Sequence, residues 1–187
     1  MKKPKLMSVI IIIFVLVAGI IYYNKNISSK PKEGLPSGKL AHSFETLDDI
    51  VSSSELIVEA KATSKQNSLN YGGVEFVKTK ILIKEVLKGD KSLSNKQITL
   101  LQTKVEQDPI IGKNDHVVLF LHKYEGPIID DAYVCAGLYQ GHYKIKDNNL
   151  VIQSIDNALS AVVKDITRYN FNDLSGKIKE KSKNKDK

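Results

Sequence analysis

The sequence predicts a mainly β domain with flanking helices (α+β), an antiparallel barrel or rolled sheet preceded by one N-terminal transmembrane helix. Three observations carry this. Short segments of alternating apolar and polar residues recur through the middle of the chain, separated by turn signals. No strand–helix–strand alternation appears, which argues against a parallel sheet. The first apolar run is long enough to cross a bilayer.

Leu6 to Tyr23 is eighteen residues without a charge. As a helix it spans about 27 Å, close to the hydrocarbon thickness of about 30 Å. Lys2, Lys3 and Lys5 precede it and hold the N-terminus in the cytoplasm. Tyr22 and Tyr23 sit at the far end, where aromatic rings favour the interface. Ala18 and Gly19 are small enough for cleavage, but Ile20 and Ile21 continue the apolar run. The expectation is an uncleaved signal-anchor, with a secretory signal cut at or just beyond Gly19 as the alternative. Both place the domain outside the cytoplasm. The chain then divides into a cytoplasmic basic flank (1–5), the anchor (6–23), a flexible tether (24–40), the β-barrel domain (41–170) and a lysine-rich disordered tail (171–187).

The elements of the domain follow in order. Thr46 and Asp49 have capping-box spacing ahead of a short helix whose Leu47, Ile50 and Val51 share a face. Leu56, Val58, Ala60 and Ala62 alternate with Glu59 and Lys61 as a half-buried strand. "NSLNYGG" reads as a loop to the next strand. In "VEFVKTKILIKEVLKGD" Val77, Thr79, Ile81 and Ile83 face one way and Lys78, Lys80 and Lys84 the other. Leu82 interrupts that pattern, which implies a bulge or cover on both faces. "QITLLQT" is a further strand, and "DPIIGKND" a turn-rich link. "HVVLFLHKY" is almost continuously apolar and therefore central. "AYVCAGLYQGHYKI" and "LVIQS" pair across the turn signal "KDNN". Ala158, Leu159, Val162, Val163 and Ile166 recur at helical spacing and close the domain.

The net charge of +7 sits at the ends. Residues 40–170 carry fifteen basic and seventeen acidic side chains, so the domain lacks the basic footprint of a nucleic-acid binder. Cys135 is the only cysteine, which excludes an intramolecular disulfide and a multi-cysteine zinc site. No nucleophile-elbow, zinc-protease, P-loop or dinucleotide motif is present. No cofactor and no metal are expected.

Four stretches, "DDIVSSSELIVEAKA", "VKTKILIKEVLKGD", "GKNDHVVLFLH" and "GLYQGHYKIKDNNLV", cover most of 47–151. As a set they resemble a broad family of small Gram-positive membrane-anchored or secreted β-barrel proteins of unsettled function. The resemblance implies an OB-like barrel, broadly like secreted netrin- or metalloprotease-inhibitor-type modules. Those modules use an N-terminal cysteine and several disulfides. With Cys135 alone, no inhibitory residue carries over.

Several constellations remain as candidates. Tyr133, Tyr139 and Tyr143 share parity along one expected strand, with Gly137 and Gly141 between them. Such a strip could stack a sugar or a base, or simply fill the core. With Gln140 and His142 it forms the candidate ligand contact. Lys78, Lys80 and Lys84 form a cationic stripe, a candidate for anions or, if paired with Glu59, an ordinary exposed face. Cys135, mid-strand among apolar neighbours, reads as an inert small hydrophobe. His116 and His122 share a face about 20 Å apart, too far for one metal. The expected function is a membrane-tethered binding module for a protein or cell-envelope component, without catalysis. The alternatives are an envelope hydrolase built on Asp130, Asp131 and His142, and a surface protein that binds anionic polymer or lipid.

Overall fold

A computed structural model describes residues 43–63, 67–106, 108–151 and 160–183. The expected anchor and tether lie outside these residues. Among the described residues the architecture is mainly β: a closed five-stranded barrel with three helices.

Helix α1 (Leu47–Ser53) begins as its sequence dictates. The Asp49 N–H donates to Thr46 Oγ1 at 3.2 Å, and the Thr46 N–H donates to Asp49 Oδ2 at 3.0 Å. Its last carbonyls accept from an ammonium group. Lys88 Nζ lies 2.6 Å from both Val51 O and Ser54 O, where a cation suits the negative end of the helix.

The strands are β1 (Leu56–Ala62), β2 (Asn67–Tyr71), β3 (Val74–Lys88), β4 (Gln97–Thr103), β5 (His116–Lys123), β6 (Ala132–Cys135), β7 (His142–Lys146) and β8 (Asn149–Val151). The barrel runs β1-β3-β4-β6-β5 and closes where β5 pairs with β1. Every ladder is antiparallel except β4–β6, which is parallel. That parallel pair is the one departure, among the described ladders, from the expected antiparallel barrel or rolled sheet. β2 replaces an expected loop. Its residues are exposed or half-buried, so they carry no alternation to read, but Gly72 and Gly73 (φ 60° and 81°) make the two-residue turn of a hairpin.

Two apolar layers result. Leu56, Val58, Ile81, Ile83, Leu119 and Leu121 fill the barrel. On the outer side, Ile57, Leu87, Val118, Phe120 and Tyr143 form a second core beneath the helices. The near-continuous apolarity of β5 is thereby explained, because both of its faces are buried. Val77, Thr79, Ile81 and Ile83 are buried as their alternation requires, and β1 meets β3 through two register shifts.

The single strand expected over 132–146 is divided. Cys135 pairs with Leu121 and His142 with Leu119, so residues 136–141 all stand opposite Phe120. The excursion includes a 3₁₀ turn, Leu138–Gly141, entered through Gly137 at φ 62°. The Asp147–Asn148 turn joins β7 to β8 as expected, with both residues at positive φ.

Helix α2 (Ala161–Thr167) buries Val162, Val163 and Ile166 as its spacing predicts. The expected disordered tail is corrected over 171–183, and 184–187 lie outside the described residues. Residues 171–183 form helix α3 (Phe171–Lys183), with Leu174, Ser175 and Ile178 buried. Phe171, Leu174 and Ile178 make one narrow apolar stripe among the lysines. The turn starts locally, since the Asp173 N–H donates to Asn170 Oδ1 at 2.9 Å. Lys179 then pairs with Glu85 at 2.6 Å and Lys181 with Asp48 at 2.5 Å. Leu174→Ala is expected to cost about 2–5 kcal/mol in urea unfolding, whereas a detached tail would give no change.

Candidate functional site

The excursion in the third wall decides the fate of the expected tyrosine strip. Tyr133 pairs with Leu100 and faces the barrel interior. Tyr143 pairs with Val118 and faces the helices, fully buried, with its hydroxyl donating to Gln140 O at 2.8 Å. Burial pushes that phenol well above its ordinary pKa. Tyr139, half-buried, packs against the helix-side core. The strip is therefore not a shared platform. It failed because parity along one strand was carried across a break.

Gln140 is fully buried and acts as a junction. Its Oε1 accepts from the Phe44 N–H at 3.1 Å, and its Nε2 donates to Ser160 Oγ at 2.8 Å. It therefore joins the entry of the domain to the start of α2. His142 is also internal. Its Nε2 lies 2.7 Å from Asp108 Oδ1, with side-chain exposures of 3% and 2%. This bond and a second one, Ile111 N–H to Gln102 Oε1 at 3.1 Å, fasten the β4–β5 loop onto the barrel. Of the five candidate ligand contacts, Gln140, His142 and Tyr143 are thus committed to internal bonds.

The hydrolase arrangement is not assembled. Asp131 is 86% exposed on its side chain and pairs with Lys123 at 2.5 Å, while His142 turns inward to Asp108. Asp131 belongs to the Lys123 end of β5 and His142 to its Leu119 position, about 13 Å along the strand. Burial pushes the Cys135 thiol well above its ordinary pKa, and the Asp108 carboxylate adds to this. Cys135 in the folded protein should therefore react slowly with a thiol reagent at pH 7.5 and rapidly in denaturant. Equal rates would contradict the placement. Among the described residues, no group of three or more metal-ligating side chains could hold an ion.

The cationic stripe does face outward. Lys80 and Lys84 are exposed and Lys78 half-buried. Lys61, on β1 beside Leu82, joins them. Lys80 Nζ donates to Thr99 Oγ1 at 2.8 Å. Lys61, Lys78 and Lys84 have no ion pair among the described residues. The nearby acids are engaged elsewhere: Glu59 with His116, Glu85 with Lys179, Glu75 with Lys104 and Asp131 with Lys123. The expected pairing of the stripe with Glu59 is replaced by His116, which reaches Glu59 at 2.7 Å. Neither β4 nor the first half of β3 contributes to the core beneath the helices, so this wall of the barrel is uncovered by them.

A second feature was not foreseen. A cleft of about 690 Å³ lies between the outer faces of β1, β3 and β5, the β7–β8 turn and α3. Glu59, Glu85, His116, Asp147 and Phe171 line it. No sequence signal joined these residues, since they come from five separate elements.

Acid should weaken the fold through surface carboxylates. The Lys104 hydrogen bond lowers the Glu75 pKa, the Ser92 backbone N–H lowers that of Asp90, and the Lys123 hydrogen bond lowers that of Asp131. A depressed folded pKa means the unfolded chain binds more protons. That stability is present above the ordinary carboxylate range, about pH 4, and is lost as pH falls through the folded values. Tm should fall on acidification below about pH 4, with a shallower slope in Asp90→Asn.

No protein-family model matches the chain, and no curated protein is significantly similar to it. Among the described residues, no helix is long and apolar enough to cross a membrane. The expected span over 6–23 lies outside them.

Proposed function

We propose that this chain is a membrane-tethered extracytoplasmic binding module of OB-like type, which recognises an anionic component of the cell envelope without catalysis. It would belong with the small Gram-positive envelope barrels that its sequence resembles. The carrying observation is the outward row Lys61, Lys78, Lys80 and Lys84 beside a barrel wall that the helices leave uncovered. The order β1-β3-β4-β6-β5, closed on β1 with β4 and β6 parallel, supports the OB-like reading. In such barrels the second and third strands and adjoining loops present the ligand face. Here those strands are β3 and β4. An anionic surface would find Lys61, Lys78 and Lys84 there, which have no ion pair among the described residues, with attraction that weakens as salt rises.

The uncharged run over 6–23 behind three lysines supports the tether and its orientation. Protease added to intact cells should trim the chain beyond Tyr23. Protection in intact cells and loss only on lysis would reverse the topology. Full-length protein in nanodiscs should capture an anionic component from the source cell's envelope. Lys78→Glu with Lys80→Glu should abolish that capture at unchanged Tm. Capture indifferent to both substitutions and to salt would sink the proposal.

A further inference from the structure

The cleft beside α3 has a chemistry different from that of the lysine wall. Glu59 and Glu85 are direct cross-strand partners, an arrangement in which like charges cost stability. Each is matched by a group from another element. His116 Nε2 stands 2.7 Å from Glu59 Oε1, and Lys179 Nζ stands 2.6 Å from Glu85 Oε1. Asp147, at the tip of the β7–β8 turn, lines the cleft without an ion pair among the described residues. Phe171 provides an aromatic wall, its ring 6.4 Å from that of His116 and tilted by 59°.

We propose that this cleft binds a saccharide, neutral or amine-bearing. The volume, about 690 Å³, falls in the range of small-ligand sites, roughly 300–1,000 Å³. Planar carboxylates accept hydrogen bonds from neighbouring hydroxyls, Lys179 donates to a ring or hydroxyl oxygen, and the Phe171 face suits the C–H side of a pyranose. Other ligand classes fit less well. A peptide strand would need a free strand edge, but β1 is paired with β3 on one side and β5 on the other. An apolar ligand would meet carboxylates on most walls. An acidic sugar would meet Glu59, Glu85 and Asp147 together. The site goes beyond the envelope-binding reading and uses none of its lysines.

The test is titration of the full-length protein in nanodiscs, followed by calorimetry and by saturation-transfer NMR. The probes are three oligosaccharides: N-acetylglucosamine oligomers, glucosamine oligomers and an oligoglucuronate. At least one of the first two should bind saturably, with the oligoglucuronate about tenfold weaker or worse. Asp147→Asn, which suits the same turn conformation, should weaken binding about tenfold at unchanged Tm, and Phe171→Leu should weaken it about tenfold with a small loss of Tm, because that ring also packs against the helix-side core. Lys78→Glu with Lys80→Glu should leave it intact, which separates this site from the lysine wall. No saturable binding by any probe, equal binding of the acidic oligomer, or indifference to both cleft substitutions would overturn the proposal.

Discussion

Gly141→Ala should be the most damaging single-methyl change in the domain, with a loss of about 3 kcal/mol or more in urea unfolding. An added Cβ would press on the Ala136 carbonyl oxygen and lie 2.8 Å from Ala136 N and 3.1 Å from Phe120 O. All three are backbone atoms of paired segments, so no side chain can turn aside. Relief requires moving the excursion that lets β6 and β7 both pair with β5, and with it Gln140 and its bonds to Phe44 and Ser160. The matched control is Gly176→Ala in α3, where an added Cβ meets nothing within 4 Å. That change should stabilise by up to about 1 kcal/mol, because alanine favours helix. Equal effects at the two sites would contradict the close approach at Gly141.

Asp108→Ala should cost about 3 kcal/mol, since it strands a buried imidazole. His142 and Asp108 are almost fully enclosed, and among the described residues their 2.7 Å bond is the one side-chain hydrogen bond of the His142 ring. The loop carrying Asp108 would remain held by Gln102 at Ile111. Local opening around Asp108, short of Ile111, should therefore precede global unfolding, and hydrogen exchange would detect it. Asp108→Asn keeps an acceptor and should recover part of the loss. The stronger measurement is a double-mutant cycle with His142→Leu and Asp108→Leu. The pair together should be less destabilised than the sum of the singles, by at least about 1 kcal/mol. Additive singles would mean that the two side chains do not depend on each other.

These two sites mark where sequence reading stopped. His142 looked like a ligand contact because it follows a tyrosine, a glutamine and a glycine in an apparent strand. Nothing local marked Asp108, 34 residues earlier in a turn-rich link, as its partner. Gln140 stands beside the tyrosines as a candidate contact, but its buried amide serves a chain junction instead. The cleft was missed because Glu59, Glu85, His116 and Phe171 each look ordinary in their own element.

What the sequence determined by itself was everything written in short-range periodicity and turn chemistry. This includes the alternation of β3, the two buried faces of β5, the capping box at Thr46 and Asp49, the hairpin at Asp147 and Asn148, and the outward lysine row. These depend on residues two to four apart, whose directions the backbone geometry sets. The tertiary structure alone decided the closure of β5 on β1, the parallel β4–β6 pair, the break between β6 and β7, and the docking of α3 through Leu174 and Ile178. Each is a choice among distant partners of similar apolarity, made by shape, register and the bonding of buried polar groups, and no local pattern records it.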